Sequence, residues 1–255
     1  MALGFDGIEI PTFDGKVDVQ RARDALSSSG LIPIIIGGGL VQTDIASEDA
    51  SIRKSGEEYV KRLATLCADL GSDLICGPLY TAVGSLKYLT EGERSATLER
   101  IAASFRGIAD FAQDQGVKIA LEALCRYDTH LINTAAQAKN LVQKIDRENV
   151  GILLDTFHLN IEEKSMPAAI ELAGEDLFHF HACENDRGAP GSGHVDWDGV
   201  ARSLSKINYK GWIAIESFTP FDRNFASAMR VWRKFEDNQD EIASKGLSFL
   251  KSKLE

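Results

Sequence analysis

Short apolar runs alternate along the chain with longer segments in which hydrophobic residues recur every third or fourth position. The runs fall at 7–10, 31–36, 73–76, 118–121, 151–154, 177–180 and 212–215. Helical patterning covers 17–29, 49–70, 91–115, 134–145, 195–207 and 225–254, with a shorter segment at 165–172. Val60, Leu63, Ala64, Cys67 and Leu70 illustrate the helical period, which strand alternation cannot reproduce. Gly30, Gly71, Gly116 and Gly211 each stand shortly before an apolar run, where a helix ends and the chain must reverse, and are expected to cap helices.

Strand–helix alternation with wholly apolar strands predicts a parallel sheet covered by helices. Seven such units favour a closed α/β barrel, read as one domain over residues 1–255, over an open doubly wound sheet. An open sheet would carry a phosphate loop after its first strand. Gly37-Gly38-Gly39 matches neither dinucleotide nor P-loop spacing, and is read as a loop where backbone passes close to another part of the chain.

Composition narrows the function. The 255 residues are 44% hydrophobic and 26% charged, as in an ordinary globular chain. With 28 Lys and Arg against 38 Asp and Glu, the net charge of −10 leaves no basic footprint for nucleic acid. No apolar stretch is long enough to span a membrane. Residues 1–6 lack the basic start and apolar core of a signal peptide, so the expected location is the cytoplasm. The four cysteines form no CxxC pair and read as reduced thiols, with Cys183 beside the richest polar cluster.

Four successive runs end on a chemically capable side chain: Glu122, Asp155, His181 and Glu216, separated by 33, 26 and 35 residues. In a parallel barrel the C-terminal strand ends ring one mouth, so the four can converge. Three carboxylates at one point repel unless a cation offsets them. Three carboxylates and one imidazole suit a divalent ion held mainly through oxygen, Mn²⁺ first, with Mg²⁺, Co²⁺ or Zn²⁺ as alternatives. His158 lies three residues beyond Asp155 in what reads as a loop able to face the mouth, or simply to brace itself. Arg187, in the polar, Gly- and Pro-bent segment after His181, can fork onto ligand oxygens or form a loop salt bridge. His179 faces the same side of its strand as His181, deeper in, and reads as a hydrogen-bonded core histidine rather than a ligand.

At these residues the chain resembles the D-tagatose 3-epimerase and D-allulose (psicose) 3-epimerase family, within the sugar isomerase/epimerase barrels related to xylose isomerase. The strings are Leu121-Glu122-Ala123-Leu124-Cys125-Arg126-Tyr127, Asp155-Thr156-Phe157-His158-Leu159-Asn160-Ile161-Glu162-Glu163, and His179-Phe180-His181 followed by Arg187 and Pro190-Gly191-Ser192-Gly193. The resemblance implies a (β/α)8 TIM barrel and epimerisation of a ketose at C3. It assigns Glu122, Asp155, His181 and Glu216 as metal ligands, with Glu122 and Glu216 doubling as the acid/base pair. His158, Arg187 and Asp128 become substrate-binding residues, the first two at the C1–C2 end of the sugar. Asp128 stands where the family has Glu, and Cys125 where it has Asn. By the same comparison, residues 4–10 look like the second strand of the family barrel, so the expected fold lacks its first strand and helix, together with an aromatic wall of the pocket. The resemblance further implies a homodimer or homotetramer. A 3-keto-sugar epimerase and a metal-binding inactive paralogue are the competing readings. A metallohydrolase like endonuclease IV would need more than the 5 histidines present and a basic surface.

Overall fold

The computed structural model describes residues 3–12 and 15–254. Met1 and Ala2, the start of the segment read as no signal peptide, lie outside them, as do Phe13, Asp14 and Glu255. Seven strands form one parallel sheet in chain order: β1 (Gly7–Pro11), β2 (Ile32–Ile36), β3 (Leu74–Gly77), β4 (Lys118–Glu122), β5 (Val150–Asp155), β6 (Leu177–Ala182) and β7 (Trp212–Ile215). Every strand coincides with an apolar run. Sequential order without a crossover reversal is the order of a barrel wall, and the sheet curls into a nearly closed barrel ringed by helices. Among the described residues β1 and β7 are not paired to each other. Both are correspondingly less buried than β3 to β6.

The helices are α1 (Val19–Ser29), α2 (Ala50–Asp69), α3 (Glu91–Gln113), α4 (Ala135–Ile145), α5 (Thr156–Glu162), α6 (Met166–Ala173), α7 (Trp197–Lys206), α8 (Arg223–Met229) and α9 (Gln239–Leu254). Their ends follow local chemistry. Thr90 and Thr134 begin α3 and α4 with reciprocal capping boxes to Glu93 and Gln137. Gly30, Gly71 and Gly116 take positive φ at helix ends, as expected. Gly211 does not. Asn208 (φ 53°) makes the left-handed turn after α7, while Gly211 lacks a side chain because the Tyr209 ring and the Phe178 carbonyl leave no room for one.

Two other expectations change. The pattern over 225–254 is not one helix: α8 ends at Arg230 in a left-handed turn, and a non-helical stretch separates it from α9. Residues 156–162 are not a loop but helix α5, because the Asp155 carboxylate accepts the Phe157 N–H (2.7 Å) and caps a helix directly on the end of β5. The glycine run behaves as read. A side chain on Gly39 would collide with the Thr81 carbonyl, and one on Gly77 with the Gly37 carbonyl.

Core packing positions the site. The outer faces of the strands and the inner faces of the helices merge into one large apolar cluster that includes Ile35, Tyr59, Leu63, Ile75, Phe105 and Ile119. A smaller cluster of Ile34, Leu74, Cys76, Ala120 and Leu153, with Phe178 and Trp212 against it, fills the inside of the curled sheet. Side chains alternate along a strand, so the residue two positions beyond an inward-facing one also faces inward, nearer the mouth. Glu122 follows Ala120 in this way, and Asp155 follows Leu153.

Candidate active site

Ligand atoms of Glu122, Asp155, His181 and Glu216 all lie within 4.8 Å of one another. They come from consecutive strands β4 to β7: Glu122 and Asp155 are the last residues of theirs, His181 is next to last, and Glu216 follows directly after β7. Asp155 and His181 are fully buried, Glu122 nearly so, and Glu216 retains slight access.

Each group is held by local structure. The Tyr80 hydroxyl donates to the Glu122 backbone carbonyl (3.0 Å), fixing the end of β4. Asp155 commits Oδ1 to the N-terminus of α5 and to the Cys183 thiol (3.3 Å), which leaves Oδ2 facing inward. His181 presents Nδ1 to Glu216 Oε2 (3.1 Å) and Asp155 Oδ2 (3.7 Å), with its other nitrogen directed away.

Arg187 completes the cluster. Its Nη1 donates to Asp155 Oδ2 (2.5 Å) and Glu216 Oε2 (2.7 Å). Its guanidinium lies over the Phe157 ring (4.4 Å to the centroid) and near that of Phe218 (5.4 Å). Its backbone has φ 70°, a conformation a non-glycine residue holds only when its surroundings enforce it. The enforcement comes from Glu184, whose carbonyl accepts the Arg187 N–H (3.0 Å) and whose buried carboxylate accepts the N–H groups of Gly191 (2.8 Å) and Val195 (3.2 Å) and the Trp197 indole N–H (2.6 Å). Nothing in the chain pattern separates Glu184 from its polar neighbours; only the folded loop makes it the hub.

His158, on α5, accepts the Cys125 backbone N–H at Nδ1 (3.0 Å). A neutral ring then carries its proton on Nε2, which lies 3.6 Å from Glu122 Oε1 and 3.1 Å from Arg187 Nη2; the guanidinium only donates, so the second contact is not a hydrogen bond. Asp128 stands beside His158 rather than in the ring of four: Oδ1 accepts from Arg230 (2.6 Å) and Oδ2 from the Cys125 thiol (3.3 Å).

The electrostatics follow from crowding. Burial, reinforced by the charge on Glu216, pushes the Glu122 carboxyl well above the usual range. Burial works the same way on Asp155, but the adjacent Arg187 outweighs it and holds that carboxyl well below its ordinary value. Burial opposes charge on His181, yet Glu9 and Glu216 raise it well above a free imidazole. Burial and Arg187 together push His158 down to about 4, so it is neutral near pH 7.

Glu9 was not singled out in the sequence. Its carboxylate Oε1 accepts from His179 Nε2 (2.6 Å) and His181 Nε2 (2.9 Å). The signal available was a carboxylate in the middle of an apolar strand, which cannot sit against the helices and must face inward to a partner. His179 is, as expected, a buried hydrogen-bonded histidine pointing at the same region as His181.

With the fold and this geometry in hand, comparison with known proteins decides the family. Residues 1–253 match the xylose isomerase-like TIM barrel family. The chain belongs to that family. Among its relatives, a ketose 3-epimerase of Arthrobacter globiformis is 35% identical over 254 residues, spanning 98% of this chain and 87% of the relative. An L-ribulose 3-epimerase of a Methylomonas species is 34% identical, over 98% and 87% of the two chains. The crystal structure of a Methylomonas D-allulose 3-epimerase in complex with D-allulose superposes with a TM-score of 0.92 at 32% identity, covering 99% of this chain and 88% of that one. As a member of this family, the chain places its four convergent strand-end residues at the mouth where such barrels carry their sites.

The donor set also fits a divalent ion. Opposite ligands of an octahedral ion with bonds of about 2.1 Å stand roughly 4.2 Å apart, close to the span of these four groups. Three carboxylate oxygens and one imidazole nitrogen are the donors Mn²⁺ or Mg²⁺ accept.

Proposed function

We propose that this chain is an isomerase that epimerises a ketose at C3 by removing and returning the proton beside the carbonyl. The observation that carries the reading is the placement of Glu122 and Glu216. The two carboxylates end β4 and follow β7, so they enter one buried ring from strands three apart. A substrate carbon between them can lose its proton to one and regain it from the other on the opposite face, which inverts that carbon. Charge that develops on the carbonyl oxygen would meet the Arg187 guanidinium, whose Nη1 already reaches Asp155 and Glu216, and the His158 Nε2–H on the Glu122 side. Asp128 would bind sugar hydroxyls from beside His158, and the Phe157 and Phe218 rings keep Arg187 in place as it exchanges carboxylate partners for substrate.

A divalent ion, Mn²⁺ before Mg²⁺, Co²⁺ or Zn²⁺, would be held by Glu122, Asp155, His181 and Glu216. When bound it supplies Lewis-acid polarisation of the carbonyl and the positive charge three adjacent carboxylates require. The relatives named for C3 epimerisation of ketoses support the substrate class. We read residues 1–255 as one cytoplasmic domain, a reading supported by its four free, buried cysteines. It would act as a homodimer or homotetramer, for which the exposed Tyr88, Phe221 and Trp232 offer apolar contact surface.

The test is solvent exchange. Metal-stripped protein, with and without added Mn²⁺, is incubated in D₂O with ketohexoses, ketopentoses and 3-keto-glucosides, and deuterium at the carbon next to the carbonyl is followed by NMR. Metal-dependent exchange in a ketose, reduced roughly 10²- to 10⁴-fold in Glu216→Gln, is the expected result. Wild-type rates in that variant remove Glu216 from the chemistry. No exchange in any sugar, with metal demonstrably bound, refutes the epimerase reading.

A further inference from the structure

We infer that Glu9 is a positioning residue for the metal centre: by accepting the Nε2–H of His181 it fixes the ring so that Nδ1 is the nitrogen presented to the ion. The inference rests on the metal reading above but concerns a residue outside its ligand set.

The geometry is specific. His181 divides its two nitrogens between two environments. Nδ1 faces Glu216 and Asp155, whereas Nε2 faces Glu9 at 2.9 Å, with the Cys76 thiol beside both. A neutral imidazole carries one proton, and the nitrogen that holds it is set by the acceptor available. Glu9 is that acceptor on the lower side of the ring, and a carboxylate accepts more strongly than a neutral group.

Glu9 is itself held ready. His179, two residues before His181 and at nearly a right angle to it, approaches the same Oε1 with its own Nε2 at 2.6 Å. The Nδ1 of His179 has no hydrogen-bond partner among the described residues, so its proton belongs on Nε2, pointing at Glu9. One carboxylate oxygen thus receives both imidazole N–H groups. The donors are on β6 and the acceptor on β1, brought together through the inside of the barrel across the unpaired β1–β7 gap. Carboxylates that take the far N–H of a ligating histidine raise its basicity and lock its orientation, and their loss typically weakens metal binding.

A purely structural role for Glu9, stapling edge strand β1 to β6, is separable from this one. Mn²⁺ affinity of the metal-stripped chain is measured by calorimetry for wild type, Glu9→Gln and Glu9→Ala. The protonated nitrogen of His181 is read by long-range ¹H–¹⁵N NMR with diamagnetic Mg²⁺ or Zn²⁺ bound. Expected are an Nε2–H form of His181 in the loaded wild type and affinity weakened by roughly 10- to 100-fold in Glu9→Ala, with Glu9→Gln in between because its amide still offers a neutral acceptor. Unchanged affinity in folded variants, even with a lower melting temperature, overturns the inference and leaves the metal reading intact. An Nδ1–H form in the loaded wild type overturns it without any variant. If wild type binds no divalent ion, the metal reading falls and this inference falls with it.

Discussion

His158 shows how one backbone contact can decide a side chain's chemistry. The Cys125 N–H occupies Nδ1, so the ring keeps its proton on Nε2 and stays neutral, a donor toward the mouth rather than a base. This has a consequence for stability. An unfolded imidazole takes up its proton near pH 6.5, whereas the buried ring resists until about 4. The contribution is therefore intact above pH 6.5, is lost progressively as the pH falls toward 4, and levels off below; it amounts to about 3 kcal/mol. In metal-stripped protein, urea unfolding between pH 7 and 4.5 should show His158→Asn losing less stability than wild type by about 2–3 kcal/mol. Equal slopes would mean that the folded ring takes up its proton as readily as the unfolded one. His158 was visible in the sequence as a histidine near a carboxylate, but whether it braced a loop or faced the mouth depended on Cys125, a contact 33 residues away.

A buried carboxylate is the hub of the segment between β6 and α7. The Glu184 carboxylate accepts the N–H groups of Gly191, Val195 and Trp197, and through its carbonyl Glu184 holds Arg187 in a left-handed conformation. Glu184→Ala strands those donors, each costing about 1–3 kcal/mol when buried without a partner. Melting and urea curves should show a loss of at least about 3 kcal/mol. Ketose turnover should fall more steeply than the folded fraction explains, because Arg187 loses its fixed approach to Asp155 and Glu216. An unaffected stability would mean that other contacts hold the segment. The adjoining element, α5, was misread as loop for a related reason. Asp155 serves at once as strand end, helix cap and site carboxylate, and a strand that passes into a helix with no intervening residue leaves no turn signal to read.

Charge balance across the barrel ties the site to global stability. Three carboxylates converge on an interior whose only nearby positive groups are Arg187 and His181 among the described residues. An added cation should therefore favour the folded state. Mn²⁺ at a hundredfold excess over its dissociation constant adds about 2.7 kcal/mol. For a chain of this size that is a rise of roughly 5–10 °C in melting temperature, reversed by a chelator. Asp155→Asn should lose most of the shift; a full shift in that variant would place the ion elsewhere.

What the chain determined by itself is everything with a short period or a local cap. All seven strands, most helices and the four strand-end residues follow from apolar runs and from where they stop, because burial and hydrogen bonding impose those patterns locally. The separations along the chain placed Glu122, Asp155, His181 and Glu216 on successive strands, and parallel topology then forces them to one end. What only the tertiary structure decided is every pairing across the barrel: Glu9 with His179 and His181, Arg230 with Asp128, Arg187 with two strand ends at once. These contacts join residues from 29 to 172 positions apart. No local pattern encodes them, because they exist only once the curvature of the sheet has closed the distance between its edges.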